Sequence, residues 1–184
     1  MLEYRALSGL EIKSRTIVGR PVVYNSRSED LGGFVEVIAP QAFSDSMGRD
    51  IRALIEHDSS KLLARTASGT LKIFEDDKGL LVEINPPNTR TADELLESIK
   101  RGDISGMSFG FSVPQGGDSW DLNSTPELRT VNKAVLHEVT ITALPAYKAS
   151  NVSLAMRSKE AALKAAGMNH MIEHGLMFIE VNKL

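Results

Sequence analysis

The sequence predicts an α+β fold, mostly β: an antiparallel β-barrel or curled sheet with peripheral helices, plus a helical C-terminal tail. Three observations carry this reading. Short β-branched-rich runs alternate with turn chemistry over most of residues 12–144, two segments inside that region carry helical periodicity, and from Ser158 onward the pattern turns from strand to helix. With 42% hydrophobic and 24% charged residues in 184, the chain has ordinary globular composition and can bury one sizeable core.

Taken in order, Arg15 to Tyr24 and Gly33 to Ile38 read as strands separated by a polar loop from Asn25 to Asp30. A short helix begins at Pro40, carries Ala42, Phe43 and Met47 on one side, and stops at Gly48. Leu71 to Phe74 and Leu80 to Ile84 flank Glu75–Gly79, a hairpin loop whose glycine can adopt a positive φ. The clearer helix is Thr91 to Lys100. Thr91 and Glu94 have capping-box spacing, Ala92, Leu95, Leu96 and Ile99 share one face, and Gly102 lies just past the end. A strand from Ser105 to Val113 precedes a Gly/Asp/Ser-rich loop between Pro114 and Pro126. Leu128 to Val131 and Ala134 to Ala143 then form a second hairpin turning at Asn132-Lys133. The sum is seven or eight strands and two helices. Ser158 to Ala166 is strongly helix-forming, Gly167 breaks it, and Met168 to Phe178 resumes an apolar pattern. Residues 1–157 are therefore read as the body and residues 158–184 as a detachable helical tail.

Several function classes fall away on composition. No cysteine is present, so a disulfide framework, a thiolate zinc site and a cysteine nucleophile are excluded. The opening Met1-Leu2-Glu3-Tyr4-Arg5 lacks a signal-peptide pattern, and no apolar run approaches the length of a membrane span. A net charge of −3 gives no electrostatic footprint for nucleic acid. The expectation is an intracellular domain with neither a membrane nor a nucleic-acid partner.

Three segments can carry chemistry. In the Ser105–Val113 strand, Met107, Phe109, Phe111 and Val113 share one face, while Gly106, Ser108, Gly110 and Ser112 share the other. Glycines two residues either side of Ser108 clear space beside its hydroxyl, which suits either a substrate approaching a nucleophile or close backbone packing. In the second segment, Val135, His137, Val139 and Ile141 alternate against Leu136, Glu138, Thr140 and Thr142. Glu138 thus lies on the polar face, as a solvated carboxylate or as one that orients an imidazole, and His137 reads as a partly buried structural residue. The third segment, Ile55-Glu56-His57-Asp58, offers a strand-end histidine suited to a general base or to the surface. Simple alternation puts His57 on the apolar face, unless the strand ends in a bulge or turn. A fourth pattern, His170-Met171-Ile172-Glu173-His174, fits the inverted zinc-peptidase motif, with both histidines on one helix face; a tail helix that happens to carry them is the other reading.

With these segments in order, the chain resembles the phage prohead maturation proteases, serine peptidases of tailed-phage capsid assembly related in fold to the herpesvirus assemblins. The resemblance runs through Gly19-Arg20-Pro21-Val22-Val23-Tyr24-Asn25, Phe34–Phe43, His57-Asp58, Leu63-Ala64-Arg65-Thr66, Gly69-Thr70-Leu71 and Asp77-Lys78-Gly79-Leu80. It continues through Arg101–Phe111, Glu138-Val139-Thr140 and Leu144-Pro145-Ala146-Tyr147. The Gly-Met-Ser-Phe-Gly-Phe and Pro-Ala-Tyr segments are its specific parts. Ala64 and Gln41 stand where the family usually has Gly, and Thr140 where Ser is common.

The resemblance implies Ser108 as nucleophile, His57 as base and Glu138 as third member, with His137 in reserve because the assemblins use a second histidine. No cofactor is implied. Backbone amides would supply an oxyanion hole worth about 3–4 kcal/mol. The substrate would be a major capsid protein precursor or scaffold protein, cut inside the assembling prohead in the host cytoplasm. Self-cleavage of the tail and a homodimer are further expectations. The rival readings are an inactive capsid-assembly or scaffold-binding module, and a zinc peptidase through His170, Glu173 and His174.

Overall fold

A computed structural model describes residues 2–144, 155 and 158–167. It holds three sheets. The first runs in the order β1 (Glu3–Ser8), β9 (Gly106–Ser112), β12 (Val135–Thr142), β5 (Arg52–Ile55) and β6 (Asp58–Arg65). The second runs β2 (Leu10–Lys13), β3 (Thr16–Val23), β8 (Gly79–Ile84) and β7 (Leu71–Asp76). The third runs β10 (Asp118–Asp121), β11 (Glu127–Val131) and β4 (Phe34–Ile38). The mostly-β reading holds, but the sheets do not close into a barrel. Two pairings, β12 with β5 and β11 with β4, are parallel.

One apolar cluster joins all three sheets and the helix. The alternation of β9 works as expected: Met107, Phe109 and Phe111 are buried, and Phe43 meets both phenylalanine rings edge-on at 5.8 and 6.0 Å. At Gly19 of β3 a Cβ would come 2.5 Å from the Met107 sulfur, so glycine lets β3 cross β9 closely. Helix α1 (Arg90–Arg101) buries Ala92, Leu95, Leu96 and Ile99 and ends on Gly102 in the left-handed region. Its N-cap is Thr89, whose side chain accepts from the Ala92 amide, so the expected Thr91 capping box is displaced by one half-turn. The segment after Pro40 forms only turns and a 3₁₀ turn (Ser44–Ser46): Ala42 and Phe43 are buried, but Met47 stays 36% exposed. Gln41 takes φ 64, a conformation that explains why glycine suits this position better.

The expected hairpin through Asn132-Lys133 does not form. Asn132 and Lys133 both donate to the Gly117 carbonyl and Ala134 donates to Ala42, so the chain crosses from the third sheet into the first. The hairpin partner of β11 is β10, which lies inside the segment read as a loop between Pro114 and Pro126. The polar Asp-Ser-Trp-Asp run of β10 becomes a strand through its neighbour's hydrogen bonds, not through propensity. In the β7–β8 hairpin the loop tightens to Asp77-Lys78, because Asp76 pairs with Gly79.

A buried ion cluster ties the first sheet to the third. Arg129 on β11, 1% exposed, bonds Glu3 on β1, Glu36 on β4 and Asp118 on β10, each at 2.7 Å. Arg5 adds a two-pronged contact to Glu36 and lies over the Phe111 ring. The start of the tail meets the same region. Residues 158–167 are helical; Ser158 accepts from the Trp120 indole and donates to Asp118, while Lys159 pairs with Glu127. Residues 168–184, with His170, Glu173 and His174, lie outside the described residues, as does the Pro145-Ala146-Tyr147 motif. Replacing Arg129 leaves three carboxylates to Arg5 and Ser158 alone among the described residues, so Arg129→Leu is expected to cost about 3–5 kcal/mol in urea unfolding. Adding Glu3→Gln and Glu36→Gln should recover part of that loss.

Candidate active site

The site begins at the tip of the β5–β6 hairpin. Ile55 and Asp58 are partners, leaving Glu56 and His57 as a two-residue turn with φ 52 and 57. Two consecutive left-handed residues are what a type I′ turn demands, and Asn-Gly is the usual solution. Glu and His are strained there, so the surroundings must hold them. Four groups on or just past one strand do so. The Glu56 amide donates to the Ile141 carbonyl and the His57 amide donates to Thr140 Oγ1, both at 3.0 Å. The Glu56 carboxylate accepts from Thr142 Oγ1 at 2.8 Å and from the Ala143 amide at 2.6 Å. The turn therefore removes the objection that alternation raised against His57.

Strand β12 delivers the carboxylate by breaking its own alternation. Leu136 pairs with Phe111 and Glu138 with Gly110, so His137 is the extra residue of a bulge. Ser46 Oγ accepts from the Leu136 amide beside it. Leu136, expected on the polar face, is buried in the core. His137, expected partly buried, is exposed and bonds Ser112 Oγ at 2.8 Å. Beyond the bulge, Glu138, Thr140 and Thr142 stand in a row opposite Gly110, Ser108 and Gly106 of β9. Partners in an antiparallel pair share a face, so Ser108, Thr140 and Glu138 share one.

His57 Nδ1 lies 2.5 Å from Glu138 Oε1, with the imidazole 25% exposed and the carboxylate nearly sealed. With Nδ1–H donating to the carboxylate, the Nε2 lone pair is left as a base. Tyr4 of β1 lies edge-on to the His57 ring at 4.1 Å between centroids. Burial, and then the charge of Glu138, pushes the Tyr4 phenol above its ordinary value, keeping it neutral beside the carboxylate. Glu138 Oε2 is buried and has no hydrogen-bond partner among the described residues. Ser108 is 3% exposed, and among the described residues no hydrogen bond joins its hydroxyl to His57. The link between them passes through Thr140, which is opposite Ser108 and accepts from the His57 amide. Thr in place of Ser at this position keeps the hydroxyl that the turn needs. Ala64 is the next-to-last residue of β6, opposite Ala53 and two residues before a 3₁₀ turn at Thr66–Ser68. Among the described residues no three His, Cys, Asp or Glu side chains are placed to hold a metal ion.

Sequence reasoning missed Glu56, Tyr4 and the purpose of Gly110. A Cβ at Gly110 would lie 2.7 Å from Glu138 Oε1, 2.9 Å from Tyr4 Cε1 and 3.1 Å from Leu2 Cδ2. The cleared space holds the carboxylate and the phenol ring. Gly110→Ala is thus expected to destabilise the fold by about 1–3 kcal/mol in urea unfolding, through overpacking. Gly48→Ala, where a Cβ meets nothing within 4 Å, should change stability far less.

The chain is 27% identical over 142 residues to the prohead protease of Enterobacteria phage HK97, an alignment covering 76% of this chain and 59% of that protein. It therefore spans less than two thirds of the length of that curated relative. No solved structure matches it. The family profile of the caudovirus prohead serine proteases matches residues 2–165, which takes in the whole of the His57, Ser108 and Glu138 region. The chain belongs to the caudovirus prohead serine protease family.

Proposed function

We propose that this chain is a serine endopeptidase that cleaves a major capsid protein precursor or scaffold protein inside the assembling prohead, and trims its own tail. Ser108 is its nucleophile, His57 its general base and Glu138 the group that orients the imidazole. The observation that carries this reading is the His57–Glu138 contact on the sheet face that also bears Ser108. The family's own description supplies the reaction class. An assemblin-like arrangement of the sheets belongs to the same proposal.

In this mechanism Ser108 Oγ attacks the scissile carbonyl and its proton passes to His57 Nε2. The imidazolium is stabilised by Glu138 and gives the proton to the leaving amine. Water, deprotonated by the same nitrogen, then hydrolyses the acyl-enzyme. Ser108 and His57 must come within hydrogen-bond reach for the first step. Such contacts are often loose in free enzymes and tighten with substrate. His137 is ill placed for the orienting role, because its bulge turns it to Ser112.

Incubation with a candidate capsid precursor, followed by intact mass, tests the activity. Ser108→Ala is expected to lower turnover about 10⁴- to 10⁶-fold with the fold intact. Glu138→Gln should cost about 10⁴-fold with little change in KM. Ser105→Ala and His137→Ala should do much less. A wild type that a fluorophosphonate does not label, and that cuts no precursor, would favour the inactive assembly module.

For the tail, the joint between Ala149 and Lys159 is the proposed self-substrate. Releasing the tail must part the Ser158 and Lys159 contacts to the body. On prolonged incubation the wild type should lose tail fragments while Ser108→Ala keeps its full mass. Equal stability of both, while a precursor is being cut, would remove self-trimming from the reading.

A further inference from the structure

We infer that Glu56 is a positioning residue, whose carboxylate clamps the left-handed turn that presents His57. The inference rests on the reading of Ser108, His57 and Glu138 as a triad. It starts from a mismatch between sequence and geometry: Glu56 and His57 both adopt φ values that neither residue favours, at the one turn where the histidine backbone must not drift. A two-residue hairpin with ordinary residues would relax toward another turn type, and the imidazole would swing with it. The Glu56 side chain prevents this by folding back onto β12, where its two oxygens accept separately from Thr142 Oγ1 and the Ala143 amide. Its own amide is spent on Ile141, one residue away.

The arrangement is a row of three contacts. Glu138, Thr140 and Thr142 alternate along one face of β12 and hold, in turn, His57 Nδ1, the His57 amide and the Glu56 carboxylate. Only the first touches the imidazole. The third fixes the other end of the turn, so the ring cannot pivot about its bond to Glu138. Asp58 on the far side of the turn instead bonds Ser60 within its own strand. Glu56 thus acts through His57, with no contact to Ser108 among the described residues.

The test uses the full chain and a fluorophosphonate probe, with the labelling rate resolved into a maximal rate constant and an apparent affinity. Glu56→Gly suits the backbone, since glycine favours positive φ, and removes only the clamp. It is expected to lower the maximal labelling rate about 10- to 100-fold, the scale of an ångström-level misplacement, with affinity and urea midpoint nearly unchanged. Glu56→Gln keeps an acceptor oxygen and should recover most of the rate. Thr142→Val breaks the clamp from its other end and should give a smaller loss of the same kind. Wild-type labelling by Glu56→Gly, or a loss that merely follows the unfolded fraction, would overturn the inference. Labelling of Ser108→Ala at the wild-type rate would instead overturn the triad itself. An inert Ser108→Ala beside a normal Glu56→Gly would leave the triad standing and remove only the clamp.

Discussion

Glu138, Thr140 and Thr142 stand two residues apart on one face of β12, and each holds a different atom of the Glu56–His57 turn. The site depends on this row. Because β12 lies between β9 and β5, it can join a serine on one neighbour to a histidine at the end of the other. Both neighbours are bound by ladder hydrogen bonds, which makes the separation between them a property of the sheet and not of loops. A constellation carried on strands is held more tightly than one carried on connections. The strain at the turn is tolerated because three separate contacts oppose its relaxation.

The bulge at His137 is what makes the row possible. Side chains on a strand alternate with period two, so without an extra residue Leu136 and Glu138 would share a face. Then either Leu136 would be exposed or Glu138 would enter the Phe111 core. The extra residue lets the strand satisfy both, with Leu136 in the core and Glu138 toward Gly110. Ser46, buried against the same stretch, accepts the Leu136 amide and steadies the irregularity. Gly110 completes the accommodation, since the carboxylate occupies the volume that a Cβ would claim.

The Arg129 cluster sits at the join between the first and third sheets and bears on the site indirectly. It fixes Glu3 of β1, and the next residue is Tyr4, whose ring lies against His57. Buried charges of this kind stabilise little in net terms, since desolvation offsets their attraction. Their geometry is nevertheless demanding: Arg129 reaches Glu3, Glu36 and Asp118 only when β1, β4 and β10 are all in register. Helix residue Ser158 joins the same group through Asp118, which brings the first turn of the tail onto the body.

Much of this was legible in the residues. Period-two alternation in β9 placed Met107, Phe109 and Phe111 on one face and Ser108 on the other, because both faces of that strand obey one rule. The α1 face and its Gly102 stop were equally plain, since capping and helical periodicity are local. The types His57, Ser108 and Glu138 could be picked out by pattern and by family likeness. What the sequence could not state was how strands meet. A polar run such as β10 is a strand only beside β11, and the supposed hairpin at Asn132-Lys133 is a crossing between sheets, since backbone partners far along the chain decide both. The His137 bulge and the left-handed Glu56–His57 turn contradict local preference, and contacts distant in sequence hold them, from Ser46 to the bulge and from β12 to the turn. Sequence determined the chemistry available and the faces of regular elements, because those follow from short-range periodicity. Tertiary structure decided which carboxylate reaches the histidine and what holds the turn, because those depend on register between strands that lie more than 80 positions apart in the chain.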